Sequence, residues 1–156
     1  MNPIAPRQGR KREAGYSMVE LLVVLVFISI VASIAAQTAL FAFDIARLGR
    51  STANIRQVAS AVMQYQSAQS ALPGSGTLQP VSAIRASLGN QAGKIDSRDG
   101  WSHDLFYQQV TVNGSPTFRI YCFGKDGIPD GTVTGVWVDF FSDVVFEGGA
   151  FIQTKW

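Results

Sequence analysis

From Leu21 to Phe43 the sequence reads LLVVLVFISIVASIAAQTALFAF, twenty-three residues without a charge. As a helix rising ~1.5 Å per residue this covers roughly 35 Å, enough to cross the hydrocarbon core of a bilayer. Burying the same segment inside a soluble domain fails on size. A helix apolar on every face needs protein on every side, and the roughly 110 residues that follow are too few to wrap it. Arg7, Arg10, Lys11 and Arg12 precede the run with only Glu13 among them. Such a basic cluster stays on the cytoplasmic side, which places everything after Phe43 outside.

Those four residues also account for the overall charge. The chain has thirteen Lys and Arg against eleven Asp and Glu, but beyond Gly15 nine cations face ten acids. The remainder is nearly neutral and offers no basic surface to nucleic acid. One cysteine, Cys122, excludes a disulfide framework and a cysteine-ligated zinc site.

Two readings fit the apolar run. One is a secretory signal cut near the small residues Ser33-Ile34-Ala35. The other is a retained membrane helix, favoured because the run continues through Leu40, Phe41 and Phe43. Glu20 at its start also favours retention, since a carboxylate at the edge of lipid is costly unless it has a partner.

Gly15-Tyr16-Ser17-Met18-Val19-Glu20-Leu21-Leu22 resembles the leader junction of type IV pilins and type II secretion pseudopilins. In that family a basic leader ends in Gly, a prepilin peptidase cuts after it, the new N-terminus is aromatic, and a Glu stands at the fifth position. The resemblance makes Gly15 the last leader residue, Tyr16 the methylated new N-terminus and Glu20 the fifth-position acid. It implies that Glu20 neutralises a Tyr16 α-amine, its own or that of an incoming subunit. Pairing relieves a desolvated carboxylate and so gives each subunit a register. Family members commonly carry Pro where this chain has Gln37, so the helix kink associated with that Pro is not carried over.

After Phe43 polar residues return. Ile55, Val58, Ala59 and Val62 keep an apolar stripe at helical spacing, and the helix is expected to run on to Ser70 before the breaker cluster Pro73-Gly74-Ser75-Gly76. Gly49 is its weak point, by about 1 kcal/mol. Val81–Leu88 reads as a short helix stopped by Gly89. Residues 105–112 and 117–123 are β-type runs joined by Asn113-Gly114, a strong hairpin signal, and a third β-rich stretch covers 133–146. The expected fold is α+β, a long N-terminal helix over a small antiparallel sheet. This matches the type IV pilin-like fold that the resemblance implies. The organisation is a leader (1–15), a membrane-spanning filament-core helix (16–43), its amphipathic continuation (44–70) and an α+β head (71–156).

The head carries a narrower resemblance. Asp99-Gly100-Trp101 with Phe106-Tyr107, and Tyr121-Cys122-Phe123-Gly124-Lys125-Asp126-Gly127, are similar to two stretches of the major pseudopilin of type II secretion. Gly100 stands where that pseudopilin has Pro. Residues 124–139, GKDGIPDGTVTGVWVD, gather Asp126, Asp130 and Asp139 among glycines, and such a loop supplies the carboxylate and carbonyl oxygens a hard cation needs. The spacing is not that of an EF-hand, because Trp137 stands where its closing Glu would be. The resemblance implies calcium here and maps Asp126 onto a ligand. Asp130 and Asp139 are candidates on chemistry alone, and Asp-Gly turns that merely close strands are the competing explanation.

No catalytic centre emerges. His103-Asp104 pairs the sole histidine with a carboxylate, but neighbouring residues of an extended chain face opposite ways, and no Gly-x-Ser-x-Gly elbow or phosphate-binding glycine loop is present. Cys122 sits in an apolar run and reads as a buried small hydrophobe. Trp101, Trp137 and Trp156 read as packing residues.

The expected protein is therefore a non-enzymatic subunit of a type II secretion pseudopilus. The resemblance implies a bacterial inner-membrane precursor with its N-terminus cytoplasmic and its head periplasmic. It also implies assembly into a helical homo-oligomeric filament that drives protein export across the outer membrane. The partners would be prepilin peptidase, minor pseudopilins, an inner-membrane assembly platform and a secretin, with no nucleic acid. A type IV or competence pilin used in adhesion, motility or DNA uptake is the alternative, and a secreted binding module a more distant one.

Overall fold

The uncharged run and the amphipathic stretch after it form one helix, α1 (Met18–Gln69), in a computed structural model that describes residues 15–91, 93–129 and 140–153. The chain divides into two compact units, one up to Leu40 and the other from Phe41. In the first unit every described side chain from Gly15 onward is exposed. The hydroxyls there are satisfied within the helix: Ser29 Oγ donates to Val26 O at 2.8 Å, Ser33 Oγ to Ile30 O at 2.8 Å and Thr38 Oγ1 to Ala35 O at 2.9 Å. A helix whose hydroxyls bond to its own backbone, and whose other exposed side chains from Leu21 to Leu40 are apolar apart from Gln37, is suited to lipid.

In the second unit α1 buries one stripe. Ile55, Val58 and Val62 are wholly inaccessible, and a fully buried aliphatic of this size stabilises by about 1.5–3 kcal/mol. Gly49 does not interrupt the helix. The helix stops at Gln69, and Ser70 takes the left-handed conformation (φ 53°) of a helix C-terminal cap.

Among the described residues the stripe packs on a five-stranded antiparallel meander in the order β1-β2-β3-β4-β5. Its strands are β1 (Gln79–Pro80), β2 (Phe106–Val112), β3 (Ser115–Cys122), β4 (Val144–Glu147) and β5 (Ala150–Gln153). Period-two alternation turns Phe118, Ile120 and Cys122 of β3 and Val144 and Phe146 of β4 to the core, with Tyr107 of β2. Val112 pairs with Ser115, leaving Asn113 (φ 51°) and Gly114 (φ 77°) as a two-residue loop, the double left-handed turn that Asn-Gly favours. Pro116 is therefore a strand residue. It lies opposite Thr111, beyond the part of β3 that pairs with β4, so its missing N–H breaks no ladder on that side.

The α+β expectation holds, and several boundaries move. The helix expected over Val81–Leu88 is a single turn, α2 (Val81–Ile84), followed by a 3-10 segment (Arg85–Gln91) kinked at Gly89. Four residues bury only Val81 and Ile84, too little to carry the α geometry further. The third β-rich stretch has its described strand later than expected, at Val144–Glu147, because Phe140 and Phe141 turn into it; residues 133–139 lie outside the described residues. Strand β5 follows through a Gly148-Gly149 loop.

Candidate functional site

Gly15, Tyr16 and Glu20 lie together at the start of α1, and all three are exposed. Glu20 falls in the first turn, where the unpaired backbone N–H groups of a helix favour a negative charge. The arrangement presents one carboxylate at the edge of an apolar surface, with the Gly15–Tyr16 peptide just outside the helix.

In the head, the turn at residues 98–103 docks onto α1. Asp99 is 2% exposed; its Oδ1 accepts from Trp101 N (2.9 Å) and His103 N (2.8 Å), which folds the turn on itself. The helix supplies the polar part of its buried face to hold the turn. Ser51 Oγ accepts from Gly100 N (2.9 Å), and Asn54 Nδ2 donates to Arg98 O (2.7 Å). A Cβ built on Gly100 would overlap the Arg47 carbonyl oxygen, so only glycine allows this approach.

A second turn, Gly124–Gly127, is bound to the first and to the helix. His103 Nδ1 lies 3.2 Å from Gly124 O; a carbonyl only accepts, so that nitrogen carries the proton. Lys125 Nζ donates to Asp44 Oδ2 at 2.8 Å. That hydrogen bond holds the Asp44 carboxyl below the usual range, against desolvation, with help from Trp101 and the charges of Lys125 and Arg47. Trp101 Nε1 is buried near Asp44 yet completes no hydrogen bond, so its share is an electrostatic pull from an imperfectly placed donor. Burial, then the Asp99 charge, pushes the Cys122 thiol up to about 12, and its Sγ lies 3.5 Å from Asp99 Oδ2. Such a thiol is inert at neutral pH.

Of the three acids singled out for a cation, the structure places Asp126, while Asp130 and Asp139 lie outside the described residues. Asp126 is exposed, and its Oδ1 accepts from Ile128 N at 3.1 Å in an Asx turn. No group of three or more His, Cys, Asp or Glu is assembled among the described residues. His103 and Asp104 do not act together, because His103 faces Asp99 and Gly124 while Asp104 Oδ1 lies 3.9 Å from Arg98 Nε. The pairing of Asp44 with Lys125 is not read from the sequence. The available signal was that Asp44 is the first charge after the apolar run.

A long N-terminal helix followed by a small antiparallel sheet is an α+β arrangement consistent with the pilin-like class of protein. A family model described as the prokaryotic N-terminal methylation motif matches residues 10–36. The chain is also 25% identical over 131 residues to the type II secretion system core protein G of Pseudomonas aeruginosa, covering 79% of this chain and 91% of that protein. No solved structure gives a significant match. The chain is pseudopilin-like, and proteins of this kind are structural rather than enzymatic.

Proposed function

We propose that the chain is a subunit of a type II secretion pseudopilus. It is made as an inner-membrane precursor, cut by prepilin peptidase between Gly15 and Tyr16, methylated on Tyr16, and assembled with copies of itself into a periplasmic filament that moves proteins across the outer membrane. Minor pseudopilins, an assembly platform and a secretin complete the machine. The observation that carries this reading is Glu20 in the first turn of α1, directly before the charge-free run Leu21–Phe43 and inside the matched motif. Unpaired, that carboxylate opposes burial; paired with a Tyr16 α-amine it directs one helix onto the next.

Mass spectrometry of the chain extracted from membranes tests the reading. A mass for residues 16–156 plus one methyl group is expected. A chain starting near Ala36, or one still carrying residues 1–15, overturns it.

Calcium belongs to the same proposal. Asp126 fits a hard cation in donor type: an exposed carboxylate with one oxygen held by the turn, and the second making no bond to the described residues. Asp130 and Asp139 are the acids nearest in sequence that would complete the set. A bound cation would neutralise the acids and brace the loop in a head whose lone cysteine forms no internal disulfide.

A further inference from the structure

The second unit begins inside the apolar run. Phe41 is its first residue, and the run continues to Phe43. The Phe41 ring meets the ring of Phe140 edge-on, with centroids 5.5 Å apart. Phe140 is half-buried against the core, but its neighbour Phe141 is 48% exposed with Lys125 Nζ 5.6 Å from its ring centroid. Lys125 N donates to Phe140 O at 2.8 Å, so the turn at 124–127 and the segment entering β4 form one surface. Ile128, at the end of that turn, is 61% exposed. Beside these apolar groups stand Arg47 and Lys125, with Asp44 and Asp126 as the facing acids.

Core packing accounts for Phe140 but not for the exposure of Phe141 and Ile128. Phe41 lies two residues before the end of the run, about 3 Å along the helix. Whatever depth Phe41 takes in a bilayer, the Phe140 ring is centred within 5.5 Å of it. Exposed Phe rings with Lys and Arg beside them, at the end of a spanning segment, suit the membrane–water boundary.

We propose that the head itself, and not only its helix, touches the bilayer. Phe140 and Phe141 lie in the interfacial layer of a phospholipid membrane beside Phe41 and Phe43, with Arg47 and Lys125 at the level of the phosphates. The surface includes Phe41, which is also part of the apolar run, and the inference rests on reading that run as a membrane span. It gives the unassembled subunit a fixed height, because the head is held at the lipid surface by its own side chains.

The test uses the full chain in vesicles of phosphatidylcholine and phosphatidylglycerol. Cys122 is fully buried and stays unlabelled in the native fold, so single cysteines can be added to the natural background. Phe141→Cys, Leu25→Cys and, at the hairpin tip, Ser115→Cys are each labelled with an environment-sensitive fluorophore. Each is then challenged with lipids bearing a nitroxide at a shallow or a deep acyl position. Labels at 25 and 141 should be quenched several-fold more than the label at 115, with 141 favouring the shallow nitroxide. Quenching at 25 with 141 as silent as 115 overturns the proposal and leaves the span intact. Equal quenching at 141 and 115 overturns it too, and no quenching at 25 removes the span on which it rests. If Phe141→Cys does not fold, Ile128→Cys reads the same surface.

Discussion

Lys125 Nζ sits 2.8 Å from Asp44 Oδ2, joining the first charged residue after the apolar run to a turn 81 residues further along. The pair anchors the loop side of the head to the helix just where the chain would leave a membrane. It also carries a pH signature. The Asp44 carboxyl titrates below its ordinary value because Lys125 hydrogen-bonds its charged form.

A depressed carboxyl contributes stability that is present above the unfolded value, about 3.9, and lost as pH falls through the folded one. Thermal melts of the detergent-solubilised chain should therefore decline below about pH 4. Asp44→Asn should start lower at neutral pH and fall less steeply in acid. An acid limb of unchanged slope in Asp44→Asn would assign the decline to other carboxylates.

Gly100→Ala forces a Cβ into the Arg47 carbonyl and should destabilise the head by about 1–3 kcal/mol, as overpacking does. Ser51→Ala removes the acceptor for Gly100 N–H and should destabilise by about 1 kcal/mol. Because both act on one contact, the double variant should lose less than the two separate losses added. Strict additivity in urea unfolding would mean that the turn does not dock through this contact.

Cys122 should resist thiol reagents at pH 8 in the native protein and react fully once denatured. Its thiol is buried and pushed up to about 12, so almost no thiolate forms. Reaction in the folded state at the rate of a free thiol would contradict the buried placement.

Glu20→Gln keeps the size of the side chain and removes its charge. Processing at Gly15–Tyr16 should continue while filament yield collapses, read by mass spectrometry and electron microscopy of the same cells. Normal filaments would sever Glu20 from assembly.

Chelation should lower the melting temperature of the calcium-loaded chain, and Asp126→Ala should melt at the chelated temperature with or without calcium. Superimposable melts of the natural chain in calcium and in chelator would remove the cation from the account.

The regular elements were legible where periodicity is long or turn chemistry is specific. Ile55, Val58 and Val62 marked the buried stripe at helical spacing, and Asn113-Gly114 marked its hairpin. Gly148-Gly149 was an equally good two-residue hairpin signal between β-type residues. The β-rich stretch read as ending at Phe146 stops one residue short of the end of β4, and so short of this loop. Strand β1 gave no signal, since two residues show no period. At the N-terminal site, Gly15, Tyr16 and Glu20 could be picked out because their spacing is local. Asp99 was visible only as part of a motif. Its work of tying up two backbone N–H groups depends on a turn that closes in space.

Local order along the chain determined the membrane-length helix, the place of Glu20, the amphipathic switch at Asp44 and the α+β class. These follow from runs, periods and neighbours, which need no partner to be read. Tertiary structure alone decided that Asp44 meets Lys125, that Gly100 must be bare beneath the Arg47 carbonyl, and that the Phe140 ring meets the ring of Phe41. Each of those contacts joins segments about 50 residues apart or more. Which distant groups meet is set by how helix and sheet pack, and composition and periodicity do not encode it.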